Sequence, residues 1–154
     1  MGRKISTLPA YSEVRGGRIT IPNNFCEAAK LVPDSETIDV SLWMVGSGRY
    51  RLLAGDHRRQ PEVEALRVRI SERQGSTSPT ESDSDAYTVI DIRLLDTHLG
   101  KGKERRLTLP PIILDILKIR KHREAVIVLN GSFVEVWGVE TFESANTIPT
   151  SELL

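Results

Sequence analysis

Two stretches of this sequence are copies of one another, and that duplication limits the available folds more than any other feature. Residues 18–31 read RITIPNNFCEAAKL and residues 106–119 read RLTLPPIILDILKI. Aligned without gaps, four of fourteen positions are identical: Arg18/Arg106, Thr20/Thr108, Pro22/Pro110 and Lys30/Lys118. Ile and Leu exchange at Ile19/Leu107, Ile21/Leu109 and Leu31/Ile119. Composition alone supplies about one identity in such a window.

Each copy carries the same series of local signals. Arg-apolar-Thr-apolar alternates with period two, which predicts a short strand. Pro ends that strand and suits a first helical position. Phe25, Ala28, Ala29 and Leu31 then recur at helical spacing, as do Ile113, Ile116, Leu117 and Ile119. A hairpin follows. The first runs Thr37–Val45, turns at Gly46-Ser47-Gly48 and returns through Arg49–Leu53. The second runs Ala125–Leu129, turns at Asn130-Gly131 and returns through Phe133–Trp137. Asn-Gly between apolar runs is a strong hairpin signal. A further strand is expected over Tyr87–Leu95, where Ile90, Ile92 and Leu94 alternate with Asp91 and Arg93. Residues 61–73 fit two patterns: Val63, Leu66 and Ile70 suit a helix, and Leu66, Val68 and Ile70 suit a strand.

One strand–helix–hairpin unit has too small a core to stand alone. The 154 residues are enough for two such units to cover each other. Residues 74–86 contain no large apolar side chain and read as a flexible, acidic, Ser/Thr-rich linker. They separate a first repeat with its connecting segment, 1–73, from a second repeat, 87–154. The expected architecture is mainly β with short helices (α+β). It is a pseudo-twofold β-barrel of two tandem strand–helix–hairpin repeats sharing one core.

The motif Gly17-Arg18-Ile19-Thr20-Ile21-Pro22, its counterpart Arg106-Leu107-Thr108-Leu109-Pro110, and the helix and hairpin after each resemble the AbrB/MraZ/MazE superfamily of swapped-hairpin proteins. The second copy, running through Ala125–Leu129 and Phe133–Trp137 to Val139-Glu140-Thr141-Phe142-Glu143, is most similar to the MraZ-like tandem-repeat regulators. The resemblance spans roughly half of the 154 residues. It implies a swapped-hairpin (SpoVT-AbrB) domain and a DNA-binding transcriptional regulator. Arg18 matches the arginine of the family's Gly-Arg pair, and Arg106 is its counterpart, preceded by Arg105 where the family has glycine. Cys26, Glu27, Leu114 and Asp115 stand where AbrB-like helices often carry arginines.

Charge distribution bears on the same reading. Lys plus Arg and Asp plus Glu are both 21, so the net charge is zero and a uniformly basic, nucleic-acid-coating protein is excluded. Sign nevertheless alternates along the chain, and the basic residues cluster beside the repeated motif. Arg3, Lys4 and Arg15 precede the first copy, and Lys101, Lys103 and Arg105 precede the second. With Arg18 and Arg106 they form the expected DNA-binding set, suited to phosphate contacts. The same arginines could instead pair with carboxylates across the barrel. A second reading is therefore a protein-interaction or antitoxin-like module on the same fold, with a protein partner.

Other chemistries lack their residues. A single cysteine, Cys26, forms no intrachain disulfide, and it sits on an apolar helical face as a small core residue. His57, His98 and His122 lack metal-ligand spacing. There is no Walker loop, dinucleotide fingerprint or nucleophile elbow. No enzyme activity, cofactor or metal is expected. Trp43 and Trp137 fall on hairpin strands and read as core or interface residues. No apolar run has membrane-spanning length. The expected location is cytoplasmic, or nucleoid-associated if DNA is bound. Met1–Ser6 formally fits a myristoylation pattern, which is short and frequent by chance. Exposed hairpin edges suggest a homo-oligomer.

Overall fold

The computed structural model describes residues 8–31, 35–75 and 90–146. Arg3, Lys4, the Met1–Ser6 pattern and linker residues 76–86 lie outside the described residues. The linker's first two positions, Gln74 and Gly75, instead close a helix.

The chain forms eight strands: β1 (Ala10–Glu13), β2 (Arg18–Ile21), β3 (Ile38–Gly46), β4 (Arg49–Ala54), β5 (Leu94–Leu99), β6 (Arg105–Thr108), β7 (Glu124–Asn130) and β8 (Phe133–Trp137). They make one sheet in the order β1-β7-β8-β4-β3-β5-β6-β2, with every ladder antiparallel. The sheet curls into a nearly closed barrel. Its two ends meet where the Ser12 hydroxyl lies 3.2 Å from both the N–H and the carbonyl oxygen of Thr20. Exchanging β1–β4 for β5–β8 returns the same cyclic order. The β3–β4 hairpin lies between β5 and β8, and the β7–β8 hairpin lies between β1 and β4. Each half's hairpin is thus flanked by strands of the other half, and the two halves share one core.

Short helices plug the barrel. In the first half Pro22 ends β2 and leads into α1 (Asn23–Ala28). In the second, Pro110 leads into α3 (Pro111–Ile116), followed by the single turn α4 (Ile119–His122). The identical lysines of the repeat have a structural reason. Lys30 and Lys118 both adopt left-handed backbone angles, with φ of 57° and 56°, and turn the chain out of α1 and α3. Inside, Ile19, Ile21, Val40, Leu42, Leu107, Ile113, Ile127 and Val136 pack with Phe25, Leu31 and Leu117. Cys26 is buried among them, and burial pushes its thiol up to about 11.

The ambiguous segment is helical. Helix α2 (Pro61–Gly75) has Pro at its start, Glu62 and Glu64 in its first turn and Arg73 near its end, which matches the helix dipole. Its Val63 and Leu66 bury against Leu53 and Leu94 on the outside of the sheet, with Trp43, Ile70 and Phe133 packed around them. Val68 points to solvent. Trp43 and Trp137 are both half-buried.

Several expectations about strands and turns need correction, and in the first hairpin Gly46 pairs with Arg49, so that Ser47-Gly48 forms the turn. The strand expected over Tyr87–Leu95 begins only at Leu94, while residues 87–89 lie outside the described residues. The Asp91 carboxylate accepts the Arg93 N–H at 3.0 Å and the Arg93 guanidinium at 2.9 and 2.6 Å, which bends the backbone. The alternation is inverted there: Asp91 is buried, and Ile90 and Ile92 are exposed. In the second hairpin Asn130 pairs with Phe133, so Gly131-Ser132 forms the turn, with Gly131 at φ 64°. Asn130 instead gives its side-chain amide to Glu135 at 3.3 Å.

Candidate nucleic-acid interface

The repeated Arg-φ-Thr-φ segments lie side by side. In the β2/β6 ladder Arg18 pairs with Thr108, Ile19 with Leu107, Thr20 with Arg106 and Ile21 with Arg105. Strand periodicity sends Ile19, Ile21 and Leu107 into the core. Arg18, Thr20 and Arg106 face outward and are exposed, with Thr108 half-buried beside them. Arg18 and Arg106 thus occupy one outer face, brought together from opposite halves of the chain.

A concavity opens on each side of this arginine pair. One, of about 540 Å³, is lined by Arg18, Arg106, Lys101, His98, Thr37, Thr108 and Glu104. The other, of about 500 Å³, is lined by Arg18, Arg106, Arg15, Tyr11, Ser12, Thr20 and Glu13. Lys103 is exposed on the 101–104 loop. Among the described residues the carboxylates lining these concavities make ion pairs open to solvent, Glu13 with Arg15 at 3.1 Å and Glu104 with Arg106 at 3.3 Å. Exposed pairs of this kind are worth about 0–1 kcal/mol, so an incoming anion can displace them. Arg18, Lys101 and Lys103 make no ion pair with a described residue.

Most cations elsewhere are engaged by carboxylates. Arg58 and Arg67 flank Asp96 at 3.6 and 2.6 Å. Burial acts to raise the Asp96 carboxyl, but hydrogen bonds from Arg67 and Ser41 outweigh it and hold the group below the usual range. Arg93 and Arg73 hold the Asp91 carboxyl well below its ordinary value, chiefly through the Arg93 hydrogen bonds. Lys118, Lys121 and His122 converge on Glu140 at 2.9, 3.2 and 2.8 Å and lower it to about 2. Arg120 pairs with Asp115 at 2.8 Å. Lys118, Arg120, Lys121 and His122 therefore tie α4 to its neighbours.

Arg105 departs from the sequence expectation. It occupies an inward position of β6 and is 1 % exposed, with its Nη1 donating to the Glu36 carbonyl at 3.5 Å. Adjacent residues of a strand point to opposite faces, so Arg105 and Arg106 cannot share a surface. Arg3 and Lys4 lie outside the described residues.

Sequence reasoning missed His98 and Tyr11. The Thr108 hydroxyl lies 3.2 Å from His98 Nε2, and Tyr11 is 48 % exposed. The outward phase of β5 and β1 was the available signal, and it could be used only once the strand boundaries were known.

Among the described residues no group of three or more His, Cys, Asp and Glu is placed to hold a metal. No helix among them is long and apolar enough to cross a membrane. No protein-family model matches the chain, and no curated protein sequence matches it.

Proposed function

We propose that the chain is a DNA-binding transcriptional regulator of the AbrB/MraZ type. In this reading it is a tandem swapped-hairpin barrel, pseudo-twofold about an axis through the β2/β6 ladder. Arg18 and Arg106 contact duplex DNA, with Arg15, Lys101 and Lys103 on phosphates at either side. Arg3 and Lys4 extend the basic arm of the first half. The observation that carries the reading is the placement of Arg18 and Arg106 on one exposed face, between two concavities to which both contribute. The interleaved hairpin order supports the family resemblance. Affinity comes from phosphate neutralisation and counterion release. Selectivity comes from arginines at base edges and from duplex shape.

The test is fluorescence anisotropy with the duplex upstream of the protein's own gene and a scrambled duplex of equal length. Arg18→Ala and Arg106→Ala are each expected to weaken binding at least tenfold, while Arg120→Ala leaves it unchanged. Absence of binding to either duplex at low salt would rule the reading out for the isolated chain.

The alternative is a protein-interaction or antitoxin-like module on the same fold. Glu13 and Glu104 on the arginine face favour it, because a protein partner presenting both signs of charge would match that mixture. A stoichiometric complex with a neighbouring gene product, formed without DNA, distinguishes it. In either case self-association needs a surface other than the hairpin edges, since β3, β4, β7 and β8 each have a neighbour on both sides.

A further inference from the structure

The β4/β8 ladder joins the two halves on the far side of the sheet order from β2/β6. Its register sets Arg49 opposite Trp137, Tyr50 opposite Val136 and Arg51 opposite Glu135. Glu135 is fully buried, at 0 % exposure. Its carboxylate accepts Arg51 Nε at 3.1 Å and Arg51 Nη2 at 2.9 Å. It also accepts Arg49 Nη2 at 3.2 Å, Trp137 Nε1 at 2.9 Å and Asn130 Nδ2 at 3.3 Å. The Arg49 guanidinium lies 4.2 Å from the Trp137 ring centre, and that of Arg51 lies 4.5 Å from the Phe133 ring centre. Both cations of this cluster come from the first half. The anion, both rings and the amide come from the second.

Neither half can satisfy this cluster with a copy of itself. A β4 strand paired about Tyr50 with another β4 would set Arg49 against Arg51 twice, gathering four guanidinium groups without a carboxylate. A β8 strand paired about Val136 with another β8 would bury two Glu135 carboxylates facing tryptophan, with no cation. A buried carboxylate without its cation is among the most costly defects a fold can carry, and guanidinium groups 31 % and 28 % exposed, crowded without a carboxylate, repel one another. Hairpins of similar build would otherwise be interchangeable, because duplicated halves offer one another the same backbone edge.

We infer that the Arg49–Arg51–Glu135 cluster is a pairing code: the first half's hairpin docks on a second half and rejects another first half. The partner this surface fits is the complementary half of this chain, and each barrel takes one half of each kind.

The test uses the full chain. Glu135→Arg and the double variant R49E/R51E each place like charges in the seam and are expected to abolish folding or lower the melting temperature steeply. Combining them as R49E/R51E/E135R restores opposite charges across the seam and should recover more than half of that loss. A combined variant no better than its parents would overturn the proposal. A second arm separates a code from a mere tie. The variant R49L/R51M/E135L is expected to fold. It should populate assemblies by native mass spectrometry that are absent from the wild type at the same concentration. Glu135→Gln, which keeps the size and the acceptor oxygen but removes the charge, is read in the same way if the apolar variant does not fold. A neutral seam with the wild-type distribution of species at every concentration would show that the charges select nothing.

Discussion

The DNA reading makes a quantitative commitment about salt. Among the described residues five cations flank the concavities on the β2/β6 face, Arg15, Arg18, Lys101, Lys103 and Arg106, and they set the minimum slope, which contacts from Arg3 and Lys4 would steepen. If each neutralises one phosphate, log K falls against log salt with a slope of about −4.5. Raising salt from about 50 to about 200 mM then weakens binding about 500-fold. Removing one contact should flatten the slope by about 0.9. Arg18→Ala is the cleanest single test, because Arg18 has no described ion pair to release. Arg106 must first leave Glu104, an exposed pair 3.3 Å long, so its loss should change affinity slightly less at the same change of slope. Arg120→Ala removes a cation held by Asp115 at 2.8 Å on α4 and should leave the slope alone. The assay is anisotropy titration at five salt concentrations for these three variants, the R18A/R106A double variant and the wild type. A wild-type slope shallower than about −2 would be too small for the proposed contacts. An unchanged slope in an R18A/R106A double variant would place the bound phosphates elsewhere and refute the assignment.

Further outcomes follow from packing and ionisation. Ile113→Ala should cost about 2–5 kcal/mol in urea unfolding, since Ile113 is 0 % exposed, whereas Val68→Ala on the outer face of α2 should stay within about 0.5 kcal/mol. Tyr50→Phe removes the 2.7 Å hydrogen bond from the buried phenol to the Ile92 carbonyl and should cost about 1 kcal/mol by the same measurement. Burial, aided by Asp91, pushes that phenol up to about 12, so in the wild type it should stay un-ionised at pH 10 in an absorbance titration. Glu140 is held down at about 2 in the folded chain, against about 4.5 in an ordinary setting. A depressed carboxyl stabilises fully above its unfolded value, and that contribution disappears as pH falls towards the folded one. Melting temperature should therefore drop between pH 5 and 2, and less steeply in Glu140→Gln.

What could be read in advance was what short-range physics decides. The two Arg-φ-Thr-φ strands, the prolines that end them and the second hairpin's return strand are each fixed by periodicity or by one special residue. The placing of β5 was not, because Asp91 overrides a five-residue alternation with hydrogen bonds to Arg93 and Arg73. The inward position of Arg105 was not legible because counting basic residues along a chain ignores the two-residue period of a strand. The sorting of cations into engaged and available sets was out of reach for a different reason. Glu135 finds Arg49 and Arg51, Asp96 finds Arg58 and Arg67, and Glu140 finds Lys118 only after the sheet order is set.

The repeat itself supplies the strongest reason to look to the β2/β6 face. The inward positions exchange Ile for Leu, which preserves volume and nothing finer. Pro22 and Pro110 end a strand and begin a helix. Lys30 and Lys118 hold the same left-handed turn. Thr20 and Thr108 suit an outer strand position through backbone preference. Arg18 and Arg106 have no such internal reason: both are exposed, and among the described residues neither is tied to a carboxylate across the barrel. The β4/β8 seam shows that the two halves differ freely where packing asks for it, with Arg49 and Arg51 of one set against Glu135 and Trp137 of the other. On the proposed reading, an arginine repeated at an exposed position where packing is indifferent answers to something outside the chain that both halves touch in the same way. A duplex, with its regularly spaced phosphates on either side of a local dyad, presents that kind of surface.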